Sequence, residues 1–128
     1  MSILIEISYG ELIDKITILE IKEARINDPL KLRNIRNELM LLESTLASQI
    51  QWDAKVEELT NRLRAINSRL WDVEDRLREK ERDKIFDEEF VELARGVYFT
   101  NDERARVKRE LNEILHSGMI EEKSYQSY

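Results

Sequence analysis

The sequence predicts an all-α fold: an antiparallel helical bundle with a long heptad-patterned helical hairpin and a short extended arm before the first helix. Three observations predict it. Helix breakers are scarce, with one proline and three glycines in 128 residues. Leu32, Ile35, Leu39, Leu42 and Leu46 recur in alternating steps of three and four, and Val56, Leu59, Leu63, Ile66, Leu70, Val73 and Leu77 resume the rule. Helix-start signals precede the apolar stripes, chiefly Ser8 with Glu11 at capping-box spacing, and Ser48 or Asp53 ahead of the second heptad run. One domain is expected, with helices over roughly 8–27, 30–48, 53–82, 88–98 and 101–116.

The arm is read from Ile3, Ile5 and Ile7, which alternate with Leu4 and Glu6 as in a short strand, although no partner strand is evident. The first helix should start at Ser8 and stop before Asp28 and Pro29. Its apolar residues lie on two sides. At 100° per residue, Leu12, Ile13, Ile16, Leu19 and Ile26 make one broad stripe, while Ile18 and Ile21 fall almost opposite. Such a helix must be covered twice: it lies at the centre of the chain's own bundle, or Ile18 and Ile21 form a self-association face. Glu20 and Glu23 fall in or beside the main stripe, where each needs a partner at the rim of the core.

The two heptad runs read as a hairpin turning near Gln51, which sets Leu46 opposite Val56, Leu39 opposite Leu63 and Leu32 opposite Leu70. Downstream, Asp87 precedes Phe90, Val91, Leu93, Ala94 and Val97 in a short helix that covers the overhanging end of the hairpin. Thr100 and Glu103 repeat the capping-box spacing, so a further helix carrying Val107, Leu111, Ile114 and Leu115 is expected, with Gly118 as its C-terminal cap.

Charge and composition remove several function classes. The balance of 27 acids to 21 bases gives a net charge of −6, which opposes general nucleic-acid binding unless a basic face is segregated. In "RARVKRE" Arg104 and Lys108 share one side and Arg106 and Arg109 another, bracketed by acids, which reads as a solvated face. Without cysteine there is no thiolate chemistry and no disulfide, and a single histidine, His116, cannot build a histidine metal site or a Ser-His-Asp triad. No glycine-rich phosphate loop occurs. The opening residues lack a basic leader, and no apolar run approaches a membrane span, so a cytoplasmic, membrane-free protein with no cofactor and no metal is expected.

The enzyme alternative rests on carboxylates. Asp72, Asp75 and Glu79 share one side of a helix, and Asp87, Glu88, Glu89 and Glu92 follow, as paired acids do in the all-α nucleotide pyrophosphohydrolases that hold magnesium. Against this, Arg62, Arg69 and Arg76 recur at heptad spacing and can pair with those acids.

"ISYGELIDKITILEIKEARI", "LWDVEDRLREKE", "FDEEFVELARGVYFTNDERARVKRELN" and "EEKSYQSY" together resemble the motifs of a family of small bacterial and phage proteins classed as a domain of unknown function. The resemblance spans nearly the whole chain and implies neither a catalytic residue nor a cofactor. Two functions stay open: a non-catalytic adaptor or assembly protein, as a homo-oligomer such as a dimer or with a protein partner, and a small-molecule binder or enzyme with a polar pocket. For the second, Ser8, Tyr9, Glu11, Asp14 and Lys15 cluster at the start of the first helix, where unpaired amides favour anions. Glu121, Glu122, Lys123 and Tyr125 complete the site if the two ends of the chain meet.

Overall fold

A computed structural model describes residues 1–128, and it is an all-α four-helix bundle without strands. The helices are α1 (Tyr9–Arg25), α2 (Pro29–Gln49), α3 (Ala54–Arg82) and α4 (Glu88–Ile114). Each begins at a side-chain cap. Ser8 accepts from the Glu11 amide, Asp28 from those of Leu30 and Lys31, Asp53 from that of Val56 and Asp87 from that of Phe90. Every cap satisfies amide donors that a helix start leaves orphaned, and Pro29 at the start of α2 has no amide hydrogen to orphan.

The first helix is central, because only there can both of its apolar sides be covered within the chain. One side packs Leu12, Ile16 and Leu19 against Ile35 and Leu39 of α2. The other buries Ile13 among Val56, Leu59, Leu63 and Ile66 of α3 and Val107 and Leu111 of α4. Ile21 is buried too, at 7% exposure, and Ile18 is half-buried. Of the two residues read as a self-association face, Ile21 is thus buried within the chain and Ile18 stays partly exposed. Glu20 binds Arg64 at 2.6 Å at the edge of the core, and Glu23 reaches Arg36 at 3.5 Å.

The hairpin has a different partner from the one expected. No Cα of α2 comes within 8 Å of α3; α1 lies between them. Leu39 accordingly joins the α1–α2 cluster and Leu63 the α1–α3–α4 cluster. The long antiparallel pair is α3 with α4, bridged by Arg62 to Glu110, Arg69 to Glu103, Arg76 to Glu89 and Lys80 to Asp87. Heptad spacing specifies a seam and not its occupant, and α1, with two greasy sides, competes for the α2 stripe at short loop-closure cost.

α4 also runs unbroken through Thr100, where a new start was expected. Leu93, Val97, Thr100, Arg104, Val107 and Leu111 keep one phase of threes and fours, so a break there would swing half the stripe off the core. Its C-terminal cap is not Gly118. His116 adopts the left-handed conformation at φ 55°, with its amide on the Glu113 carbonyl and that of Ser117 on the Asn112 carbonyl. Lys84 at φ 58° ends α3 by the same Schellman pattern, with the Ile85 amide on the Lys80 carbonyl. The N-terminal arm forms no strand, since no edge is present to pair with it. Ile7 packs on the α1–α2 cluster while Ile3, Leu4 and Ile5 are exposed.

Candidate functional site

The side of α1 that faces α4 carries Gly10 and Asp14 at a spacing of four, which puts both against the same neighbour. Gly10 allows the two backbones to touch: a Cβ there would stand 2.5 Å from the Lys108 carbonyl oxygen. Its amide donates to Asn112 Oδ1 at 2.7 Å, so α4 supplies a cap to the first turn of α1. This close approach brings the Asp14 carboxylate, 1% exposed, to the side chains of α3 and α4.

Asp14 Oδ1 accepts from Asn67 Nδ2 and from Arg104 Nε, both at 2.9 Å, and Oδ2 accepts from Arg104 Nη2. Asn67 Nδ2 also reaches Thr17 Oγ1 at 2.9 Å, and that hydroxyl donates to the Asp14 carbonyl. Lys108 Nζ lies 3.9 Å from Asp14 Oδ2 and donates to Glu11 Oε2 at 2.7 Å and to Glu121 Oε2 at 2.9 Å. Three carboxylates thus surround two cations, and no buried side-chain nitrogen or oxygen lacks a partner. Full satisfaction is required here, because burying each ion costs several kcal/mol that only good geometry offsets.

The charges tune one another. Hydrogen bonding to Asp14 is the chief cause that holds the Arg104 guanidinium further into its charged form. For Lys108 burial is the largest influence and favours the neutral amine, but bonds to Glu11 and Glu121, with the charges of Asp14 and Glu11, outweigh it and leave its pKa raised. The Lys108 hydrogen bond holds the Glu121 carboxyl below its ordinary range.

The tail follows α4 backwards as a strap. Besides Glu121 on Lys108, Glu122 accepts from Arg109 at 2.9 Å, and the Tyr128 hydroxyl donates to Asp102 while its ring packs on Tyr98 and Phe99 with centroids at 5.5 and 4.7 Å. Between strap and helix lies a concavity of about 1130 Å³ whose lining includes Tyr98, Arg104, Arg106, Lys123, Tyr125 and Tyr128.

Of the residues singled out in sequence, Glu11, Asp14 and Glu121 come together in the buried network, and Lys123 and Tyr125 line the adjoining concavity. Ser8 is buried as the cap of α1, Glu122 forms a surface pair, and Lys15 is exposed. Tyr9 faces a separate cavity of about 480 Å³ beside Trp52 and His116. Sequence reasoning missed Asn67 and Asn112 and read Arg104 and Lys108 as solvated. Their signal was present: both bases flank Val107 in the apolar phase of α4.

The acidic run is engaged elsewhere. Asp72 binds Arg25, Glu79 and Glu89 share Arg76, and Asp87 holds Lys80. No cluster of three or more His, Asp or Glu side chains is placed to hold a metal ion. No helix is long and apolar enough to cross a membrane.

Comparison with protein families adds a decisive observation: the signature of the family of unknown function DUF6165 matches residues 3–128. The chain belongs to this family. Neither curated proteins nor solved structures supply a match. The buried network and the strap both lie inside the matched region, so they are features of a DUF6165 domain.

Proposed function

We propose that this protein is a non-catalytic helical assembly or adaptor module, cytoplasmic in setting, that acts through protein–protein contacts. One observation carries the reading. In a chain with 38% charged residues, positions 39–52 hold a single charge, Glu43. That stretch ends α2, the helix whose backbone approaches only that of α1, and it exposes Met40, Leu41 and Trp52. Interface cores are depleted in charge and enriched in Met and aromatic residues. The exposed Ile3, Leu4 and Ile5 leave the body from Ile7, which is seated on the same α1–α2 cluster.

A second copy is the occupant best suited to such a face, because a two-fold pairing of α2 opposes apolar to apolar without burying a lone charge. Light scattering after size exclusion tests it. A dimer at micromolar concentration that becomes a monomer in Met40→Glu with Leu41→Glu, at unchanged helicity, supports the reading. A monomer at every concentration, together with no heterologous partner retained by the wild type but lost by the variant, removes it.

A further inference from the structure

The concavity between α4 and the strap shares Arg104 with the buried network and adds groups that neither the network nor the assembly reading uses. Its lining contributes three cations, Arg104, Arg106 and Lys123, against one carboxylate, Asp102, in a chain whose net charge is −6. The single acid is engaged, since it accepts a hydrogen bond from the Tyr128 hydroxyl. Arg104 gives Nε and Nη2 to Asp14, which fixes the plane of the guanidinium and leaves Nη1 without a side-chain partner. Arg106 is exposed and near enough to Tyr128 for its charge to act on that hydroxyl. Lys123 is only loosely held, 3.9 Å from Glu121. Arg106 lies on the other side of α4, whereas Arg104 and Lys123 both act on Glu121, and a pair of positive donors on one side suits phosphate oxygens.

The rest of the lining includes three tyrosines. Tyr98, Tyr125 and Tyr128 all line the space, and Tyr125 is 77% exposed with no ring of its own to pack on. Tyrosine faces beside arginine are a platform on which a planar ring stacks. A space of about 1130 Å³ accommodates a ligand of that size, given that small-molecule sites span about 300–1,000 Å³.

We propose that the cavity between α4 and the C-terminal strap binds a phosphate monoester carried on a planar ring, the chemistry of a mononucleotide, with Arg104 and Lys123 on the phosphate and Tyr98 and Tyr125 on the ring. Asp14 is a positioning residue for this site, because it orients Arg104 from inside the core. The strap closes the site through Glu121 on Lys108 and Tyr128 on Asp102, so ligand binding and strap docking favour each other.

The test is an amide NMR titration of the full chain with AMP, adenosine and inorganic phosphate as separate probes. Saturable shifts with AMP confined to residues 98–106 and 123–128 are expected, with adenosine and phosphate each weaker by about tenfold or more. Lys123→Gln and Tyr125→Ala change exposed side chains and should leave the helical spectrum intact while weakening AMP by about tenfold. Three results overturn the proposal: no saturable AMP shift at these residues up to about 10 mM, phosphate alone binding as tightly as AMP, or AMP affinity unchanged in both variants.

Discussion

Replacing Gly10 by alanine isolates the helix–helix approach on which the buried network depends. In an open helix this change is favourable, by up to about 1 kcal/mol, because glycine carries the larger entropic penalty. At Gly10 the added Cβ meets the Lys108 carbonyl oxygen at 2.5 Å, its carbon at 3.1 Å and Asn112 Oδ1 at 3.0 Å. Two of these atoms are backbone of α4, so relief requires the two helices to part by several tenths of an ångström. Parting also stretches the Gly10–Asn112 hydrogen bond and the Asp14–Arg104 pair. Overpacking of this kind costs about 1–3 kcal/mol, which exceeds the gain in propensity. Gly10→Ala should therefore lose about 1–2 kcal/mol in urea unfolding. Gly96 is the internal control: a Cβ there meets nothing within 4 Å, and Gly96→Ala in the middle of α4 should gain about 0.5–1 kcal/mol. If both alanines stabilise equally, α1 and α4 are not in backbone contact and the geometry of the network is wrong.

Other consequences are equally open to measurement. Asp14→Asn keeps the shape but strips Arg104 and Lys108 of a shared carboxylate; because Arg104 is partly exposed the cost is set at about 2–4 kcal/mol, and a loss under about 1 kcal/mol in chemical denaturation refutes the network's role. Leu39→Ala and Leu63→Ala should each cost about 2–5 kcal/mol. Their costs should add within about 0.5 kcal/mol in the double variant, since the two leucines sit in different clusters, whereas a coupling above about 1 kcal/mol returns them to a common seam. Glu121 has a depressed folded pKa, so its contribution is present above the ordinary carboxylate range and is lost as pH falls through the folded value. Lys108, raised, contributes below the usual lysine value and loses its effect only as pH rises through its higher folded value. Chemical shifts of residues 119–128 should accordingly be flat through neutrality and change in acid with a midpoint below about 4.3; a midpoint at or above that value contradicts the Lys108 contact.

Much of this architecture was legible because it depends on local chemistry. Ser8, Asp53 and Asp87 announced three helix starts, and the placement of Ile18 and Ile21 opposite the main stripe announced a helix that is covered twice, although Ile13, read as part of that stripe, belongs to the other cluster. What periodicity could not convey is which stripe meets which, as three helices carry the same three-four step and several pairings fill it. The Leu39–Leu63 pairing failed for that reason. Thr100 misled because the capping-box spacing is a weak local signal beside a continuous apolar phase. The meeting of the chain ends was stated only as a condition, and Lys108 fulfils it by holding Glu11 and Glu121 together. That lysine was itself read as solvated, since a base at the edge of an apolar stripe looks the same whether it reaches outward to water or inward to buried acids.

The central position of α1 has a consequence for the chain's synthesis. The side chains that satisfy Asp14 lie 53 and 90 residues further along. At about 5–20 residues per second, α1 exists for roughly 5–20 s before Arg104 is made. Through that interval its apolar sides and its buried acid have no permanent neighbours. α2, which follows at once and whose backbone lies against α1 alone, is the natural interim guard for one side. The α3–α4 pair, built from contacts close in sequence around residues 83–87, then assembles as a unit and closes the other. α2 and the α3–α4 pair thus divide the protection of one vulnerable helix by time of arrival, so weakening α2 should reveal itself first as aggregation during expression, before any change in the finished fold.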